Sequence, residues 1–296
     1  MEYRHLAKTN LWISAFCLGG HCKRINVMNQ DFDQNRHDVV SRCIDVGINY
    51  IDVCSIPEVW AYSKALKGRR DKMYRALSGR EVRSENYRTT NKLLESLNSP
   101  LKESNQKYTD LWRITCLEPG GRLSFNTSCE LVAALEKAKK QGKARCIGIS
   151  SHDRRRLKMI IKCFPQIEVI LFPYIARSKA APKYDLFDAL KKCDVGAFGI
   201  KPFASNSLFK GSAPGDPHAE EHDWRARLAI RYILCNPRII PIPGLITAHQ
   251  VDNVARAAKE RRQLDLAEAL ELQQAMEQTR PKLPKNYQWL KNWQYV

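Results

Sequence analysis

Asp52 carries the strongest chemical signal in the chain. It stands where a short apolar run, Ile48 to Ile51, meets a loop. Gly47, just before that run, ends a helical pattern, where a helix C-terminus favours glycine. Other ionisable side chains fall at similar junctions: His21, Glu58, Glu118, His152 and Lys201. Carboxylates and imidazoles in such places suit acid–base chemistry. His21, Asp52 and Glu58 have the donor types for a metal ion, but no local ligand spacing supports one and none is expected. His152 reads better as a strand-end hydrogen-bonding residue than as a base. Lys201 has the amine of a Schiff-base residue, and a charge or cofactor contact is the favoured reading.

Such residues need a scaffold that gathers strand ends. Strand-like runs at 3–6 and 11–16 around Lys8-Thr9-Asn10 predict a hairpin. Strand and helix signals then alternate. Strands are predicted over 15–19, 49–52, 72–78, 108–115, 144–150, 168–172, 195–201 and 239–242. Helices are predicted over 35–46, 59–66, 85–97, 128–142, 154–163, 184–193, 224–235 and 248–258. Eight β/α units predict an α/β fold, a (β/α)8 TIM barrel, as a single domain over 1–296 with an N-terminal β-hairpin. Residues 264–296 add a C-terminal helix and a tail packing on the barrel, with Tyr287, Trp289, Trp293 and Tyr295. The C-terminal strand ends of such a barrel carry its chemistry, and Asp52 falls at one of them. The Gly-, Pro- and Ser-rich loop 203–222 is the candidate lid.

Composition bounds the function classes. At 296 residues and 44% hydrophobic the chain can bury a large core. No uninterrupted apolar window reaches the roughly 18 residues of a membrane span. The polar start, Met1-Glu2-Tyr3-Arg4-His5, predicts no signal peptide and a cytoplasmic location. Ten cysteines are scattered without a Cys-x-x-Cys, which reads as reduced thiols rather than a cluster or zinc site. Forty-nine basic against 31 acidic residues give a formal charge of +18. A solvated basic surface explains it, with a polyanion partner or anionic substrate as the alternative. No nucleic-acid motif sharpens the second.

Several stretches resemble the aldo-keto reductase superfamily, in its order and over nearly the whole chain. They are Gly47-Ile-Asn-Tyr-Ile-Asp52, Ala65-Leu-Lys-Gly-Arg-Arg-Asp-Lys72 and Asp110-Leu-Trp-Arg-Ile114. Further on come Gly142-Lys-Ala-Arg-Cys-Ile-Gly-Ile-Ser-Ser-His152, Lys201-Pro-Phe, Ile242-Pro-Gly244 and Gln250-Val-Asp-Asn253. The resemblance implies a barrel reductase with NADP or NAD as cofactor and a small carbonyl substrate. In that family an Asp, a Tyr, a Lys and a His surround the nicotinamide, and the Tyr protonates the carbonyl oxygen. Of these only Asp52 stands at a matching position. Pro57 takes the place of the Tyr, Ser78 that of the Lys and Thr115 that of the His. The stretch from Asp52 to Lys64 is also shorter than the family pattern. Tyr62, or Trp60, then offers a substitute acid, with packing of Tyr62 beneath a short helix as the other reading. The implied cofactor contacts are Ser150, Ser151, His152, Lys201, Gly244, Thr247, Gln250 and Asn253. Leu171 stands where a Gln is frequent.

Losing the lysine leaves Asp52 without a cation, which burial makes costly. Strand alternation suggests a remedy. If position 115 faces the barrel interior, Arg113 does too, one layer below, and it can pair with Asp52. It would restore the charge balance but not the proton donor, because arginine stays protonated at ordinary pH. A polar network without a chemical role is the alternative. Three readings therefore stay open: a reductase with an altered catalytic set; a barrel that no longer reduces and serves as sensor or partner subunit; and a non-redox lyase or isomerase on an anionic or sugar-like substrate.

Overall fold

The computed structural model describes residues 1–20, 31–115, 123–175, 186–204, 215–279 and 281. His21, Glu118, the four tail aromatics and residues 205–214 of the 203–222 loop lie outside the described residues. A hairpin of β1 (Tyr3–His5) and β2 (Trp12–Ser14) comes first. Seven parallel strands then pair in chain order: β3 (Tyr50–Val53), β4 (Tyr74–Gly79), β5 (Thr109–Thr115), β6 (Ala144–Ser150), β7 (Val169–Pro173), β8 (Gly196–Ile200) and β9 (Ile239–Ile242). The helices are α1 (Phe32–Asp45), α2 (Ile56–Ala65), α3 (Thr90–Glu103), α4 (Phe125–Lys140), α5 (Arg154–Cys163), α6 (Leu186–Cys193), α7 (Ala219–Leu234), α8 (Ala248–Ala257) and α9 (Leu266–Thr279). This is a (β/α)8 TIM barrel with an N-terminal hairpin. No described helix is long and apolar enough to cross a membrane.

The predicted first strand is reduced to a short closing segment. Leu18 bridges to Ile51 and Gly19 to Gly244. Its groups alternate sides: Cys17 and Gly19 donate to the carbonyls of Pro241 and Pro243, while Leu18 donates to Tyr50 and accepts from Asp52. Residues 17–19 thereby join β3 to β9 and shut the barrel. Gly19 is required there, since a Cβ would lie 2.6 Å from the Pro243 carbonyl oxygen.

Both faces of the sheet are covered, which is why the strands read as near-continuous apolar runs. Tyr50, Ala76, Leu111, Cys146, Leu171, Phe198 and Ile240 fill the interior, with Leu6, Leu11 and Ile13 added by the hairpin. The larger core lies between sheet and helices. Several helix starts differ from the sequence expectation, and three show their local cause. Ser124 caps α4 by accepting from the Thr127 amide, so the helix begins at Phe125 rather than at 128. Residues 81–87 form two 3-10 turns, tied by Arg88 donating to the Val82 carbonyl, so α3 begins only at Thr90. α7 begins at Ala219, where Glu220 and Glu221 complement the helix N-terminus.

Candidate active site

Register decides which side chains meet at the mouth. Asp52 pairs with Ala76, Ser78 with Arg113 and Thr115 with Ser150. Ala76, Leu111 and Cys146 face the interior. Two residues further along each strand, Ser78, Arg113 and Gly148 therefore face it as well, and Thr115 and Ser150 follow Arg113 and Gly148.

Arg113 and Asp52 form a bidentate pair across the top of β4. Nε donates to Oδ1 at 2.9 Å and Nη2 to Oδ2 at 2.7 Å. Their side chains are 4% and 5% exposed. Nη2 also reaches Cys54 Sγ at 3.2 Å. Nη1 donates to Ser78 Oγ at 3.0 Å and to Thr115 Oγ1 at 2.8 Å. A guanidinium has five N–H groups, and every one of Arg113's has a protein acceptor. Burial works against its charge, but Asp52 more than offsets this and holds its pKa above the ordinary arginine value. Arg113 is a fixed cation that reaches the mouth through its hydroxyl partners.

Ser78 and Thr115 stand half-buried at the ends of β4 and β5, 2.7 Å apart. They occupy the positions where the family resemblance implies lysine and histidine. The sequence pattern shows their absence from the family set but not their union, because that union depends on the register of two adjacent strands.

Behind this pair the turn after β3 is braced. Glu58, fully buried in the first turn of α2, accepts from the Cys54 amide at 2.8 Å, and Arg80 donates to the Cys54 carbonyl at 3.2 Å. Cys54 Sγ sits 3.4 Å from Asp52 Oδ2. Burial pushes its thiol well up, the Asp52 carboxylate adds to this, and Arg113 offsets only part. Glu58 is thus a brace for the turn. Among the described residues no group of three or more His, Cys, Asp or Glu is placed to hold a metal.

Tyr62 requires a correction. It is fully buried in α2 within the outer core, and its hydroxyl meets Arg36 Nη1 of α1 at 3.5 Å. The cause is the helical period, which turns position 62 toward α1 while β3 delivers Asp52 to the interior. A phenol with no exposure there is a packing residue and not the substitute acid. Trp60 points to the surface, donating to Glu103 Oε2 at 3.1 Å.

The expected cofactor contacts fall into two groups. Ser150 ends β6 in register with Thr115, followed by buried Ser151, whose Oγ accepts from the Asp153 amide, and half-buried His152. Lys201 follows β8 in a left-handed conformation, φ 59°. On the other side, Gly244 bridges to Gly19, and Thr247 caps α8 by accepting from the Gln250 amide at 3.2 Å. Gln250 Oε1 accepts from the Ile246 amide at 2.8 Å. Buried Arg36 pins the intervening loop by donating to the carbonyls of Leu245 and Ile246, each at 3.0 Å. Asn253 is committed elsewhere: its Oδ1 accepts from Arg227 at 2.7 Å and its Nδ2 donates to the Asp223 carbonyl at 2.9 Å. It fastens α8 to α7. Two features would suit a dinucleotide: the amides of Ala248 and His249 at the start of α8, and the Ser150 hydroxyl, have no acceptor or donor among the described residues. Helix-start amides suit a phosphate.

Known proteins fit this geometry. The Aldo/keto reductase family model matches residues 24–226. The chain belongs to the aldo/keto reductase family. Among solved structures it is similar to the aldo-keto reductase AKR11C1 from Bacillus halodurans in its holo form, at 20% identity and TM-score 0.70, covering 93% of this chain and 96% of that one. The apo form of the same protein matches at 21% identity and TM-score 0.67, with the same coverage. An aldo/keto reductase from Klebsiella pneumoniae, in complex with NADP and acetate, matches at 16% identity and TM-score 0.70, covering 93% and 95%. These likenesses support the fold. No curated protein sequence matches the chain.

Proposed function

We propose that this aldo/keto reductase family member is an NAD(P)-dependent oxidoreductase acting on a small carbonyl compound, with Asp52 and Arg113 as the charged centre of its mouth. The observation that carries this reading is the buried Asp52–Arg113 pair. It keeps the charge balance of the family's Asp–Lys pair while drawing its cation from β5 instead of β4. A reduced nicotinamide, when bound, supplies hydride. The residues fitted to hold the nucleotide are Ser150, Ser151, His152 and Lys201 at the nicotinamide end. Gly244, Thr247 and Gln250 with the first amides of α8 suit the phosphate and adenosine end. Asn253 supports that end indirectly, by fixing α8.

The chain's own groups set limits on how the oxygen of a substrate is handled. Asp52 is enclosed by Arg113 and Cys54, the Cys54 thiol is pushed up by burial, and Tyr62 lies in the outer core. Those observations favour a second reading, a nucleotide-binding barrel that has stopped reducing carbonyls. Titration with NADPH and with NADH, followed by nucleotide fluorescence, tests the first step and distinguishes the two nucleotides. Absence of binding at millimolar nucleotide refutes the oxidoreductase reading. Binding combined with no oxidation of nucleotide across an aldehyde and ketone panel supports the second reading.

A further inference from the structure

A hydrogen-bond count at the mouth leaves one proton over. Ser78 and Thr115 each accept from Arg113 Nη1, at 3.0 and 2.8 Å. They are 2.7 Å apart, and either can be the donor of the bond between them. Two hydroxyls have two protons, and one proton is used in that bond. The second, on whichever oxygen accepts, has no acceptor among the described residues. The accepting oxygen has both lone pairs filled, by Arg113 and by the neighbouring hydroxyl, while the donating oxygen keeps one. The pair therefore presents a donor to the mouth, from a half-buried position, with a cation behind it.

We propose that the Ser78–Thr115 hydroxyl pair binds the substrate's carbonyl or alcohol oxygen by donating this remaining hydrogen bond, with Arg113 as the positioning residue that orients both hydroxyls. The inference rests on the oxidoreductase reading for the identity of the ligand. Its chemistry is that of an oxyanion-type donor: a preorganised O–H aimed at an oxygen that gains negative charge. Arg113 cannot take this role itself, since all five of its N–H groups are already used. Two interchangeable hydroxyls also let the outward proton sit on β4 or β5. One pair can thus follow an oxygen that shifts between ground state and alkoxide. No proton transfer from the pair is required for this role.

The probe is 4-nitrobenzaldehyde carrying carbon-13 at the carbonyl, added to the full chain without nucleotide. Isotope-edited infrared spectra report the carbonyl stretch of the bound aldehyde. Ser78→Ala with Thr115→Val removes both hydroxyls at nearly constant volume. Ser78→Thr with Thr115→Ser exchanges them and controls for packing. The wild-type and exchanged chains should shift the bound carbonyl band to lower frequency than the chain lacking both hydroxyls. Arg113→Lys keeps a cation beside Asp52 without the fork, and should move the band back toward the hydroxyl-free position. An identical band in the wild-type and hydroxyl-free chains overturns the proposal, as does failure of the wild-type chain to perturb the probe at saturation. A wild-type band in the Arg113→Lys chain removes Arg113 from it. With NADPH present, loss of both hydroxyls should lower kcat by about 100-fold, the scale seen when an oxyanion donor is removed. Each single change should cost far less, because one hydroxyl still carries the outward proton. If NADPH fails to bind while the infrared shift is present, the oxidoreductase reading fails and the oxygen site stands.

Discussion

Replacing Arg113 by methionine gives the sharpest test of the mouth as a single charged unit. The substitution deletes all five N–H groups and leaves Asp52 with one weak donor, the Cys54 thiol at 3.4 Å. A buried charge stripped of its partner costs about 3–5 kcal/mol. With a urea dependence near 3 kcal/mol/M, that lowers the unfolding midpoint by about 1–1.7 M. Asp52→Leu exposes the opposite fault, a buried guanidinium without its carboxylate, and should cost a similar amount. The double variant, Asp52→Leu with Arg113→Met, removes both charges together. It also leaves the Ser78–Thr115 bond intact. Replacing a buried ion pair with apolar groups is often close to neutral, so the double variant should be more stable than either single one. Equilibrium urea unfolding, followed by tryptophan fluorescence and circular dichroism, measures all four corners of this cycle. Additive effects, or single-variant costs below about 1 kcal/mol, refute the reasoning, because coupled groups in one buried network deviate from additivity by about 0.5–3 kcal/mol.

Three other perturbations probe the surroundings. The Cys54 thiol is buried and pushed up, whereas Cys129, Cys163 and Cys235 are exposed. Iodoacetamide at mildly alkaline pH should therefore label the exposed set and spare Cys54, as peptide mass spectrometry will report. Arg75, fully buried on the outer face of β4, has only Ser63 Oγ at 2.9 Å and Ser104 Oγ at 3.4 Å, and its Nε has no partner. Burial, reinforced by Arg70, pulls its pKa down from the ordinary arginine value to about 10. Between these two values the unfolded chain binds the proton that the folded chain has released, so this group makes stability rise with pH across that window. Arg75→Met should be neutral or stabilising by about 1 kcal/mol at neutral pH and should abolish that rise, both visible in unfolding curves. Gly148→Ala should destabilise by about 1–3 kcal/mol, an overpacking cost. Its Cβ would lie 2.5 Å from the Val169 carbonyl oxygen, and backbone there has no room to retreat.

The legible part of this chain was its periodicity. Alternating apolar runs and amphipathic stretches located seven of the barrel strands and the hairpin, and errors gathered where local chemistry competes with period. Ser124 and Ser128 are both plausible helix caps four residues apart, and only the hydrogen bond to Thr127 separates them. The run before Gly19 has strand composition, yet it makes bridges rather than a full strand because its neighbours on both sides are short. Glu58 looked like a mouth carboxylate but turns inward to hold the Cys54 amide, an interaction set by the sharp turn into α2.

The sequence by itself determined the barrel class, the family resemblance and the departures at Pro57, Ser78 and Thr115. Residue types and spacing suffice for these because they depend on local patterns along one strand or helix. Strand alternation even placed Arg113 on the interior, within reach of Asp52. What only the tertiary structure decided is how those departures combine. The register of β3, β4 and β5 stacks Asp52, Arg113, Ser78 and Thr115 into one network, and the packing of α1 on α2 takes Tyr62 out of it. Both outcomes follow from side-chain directions fixed by neighbours distant in the chain, which no local pattern encodes.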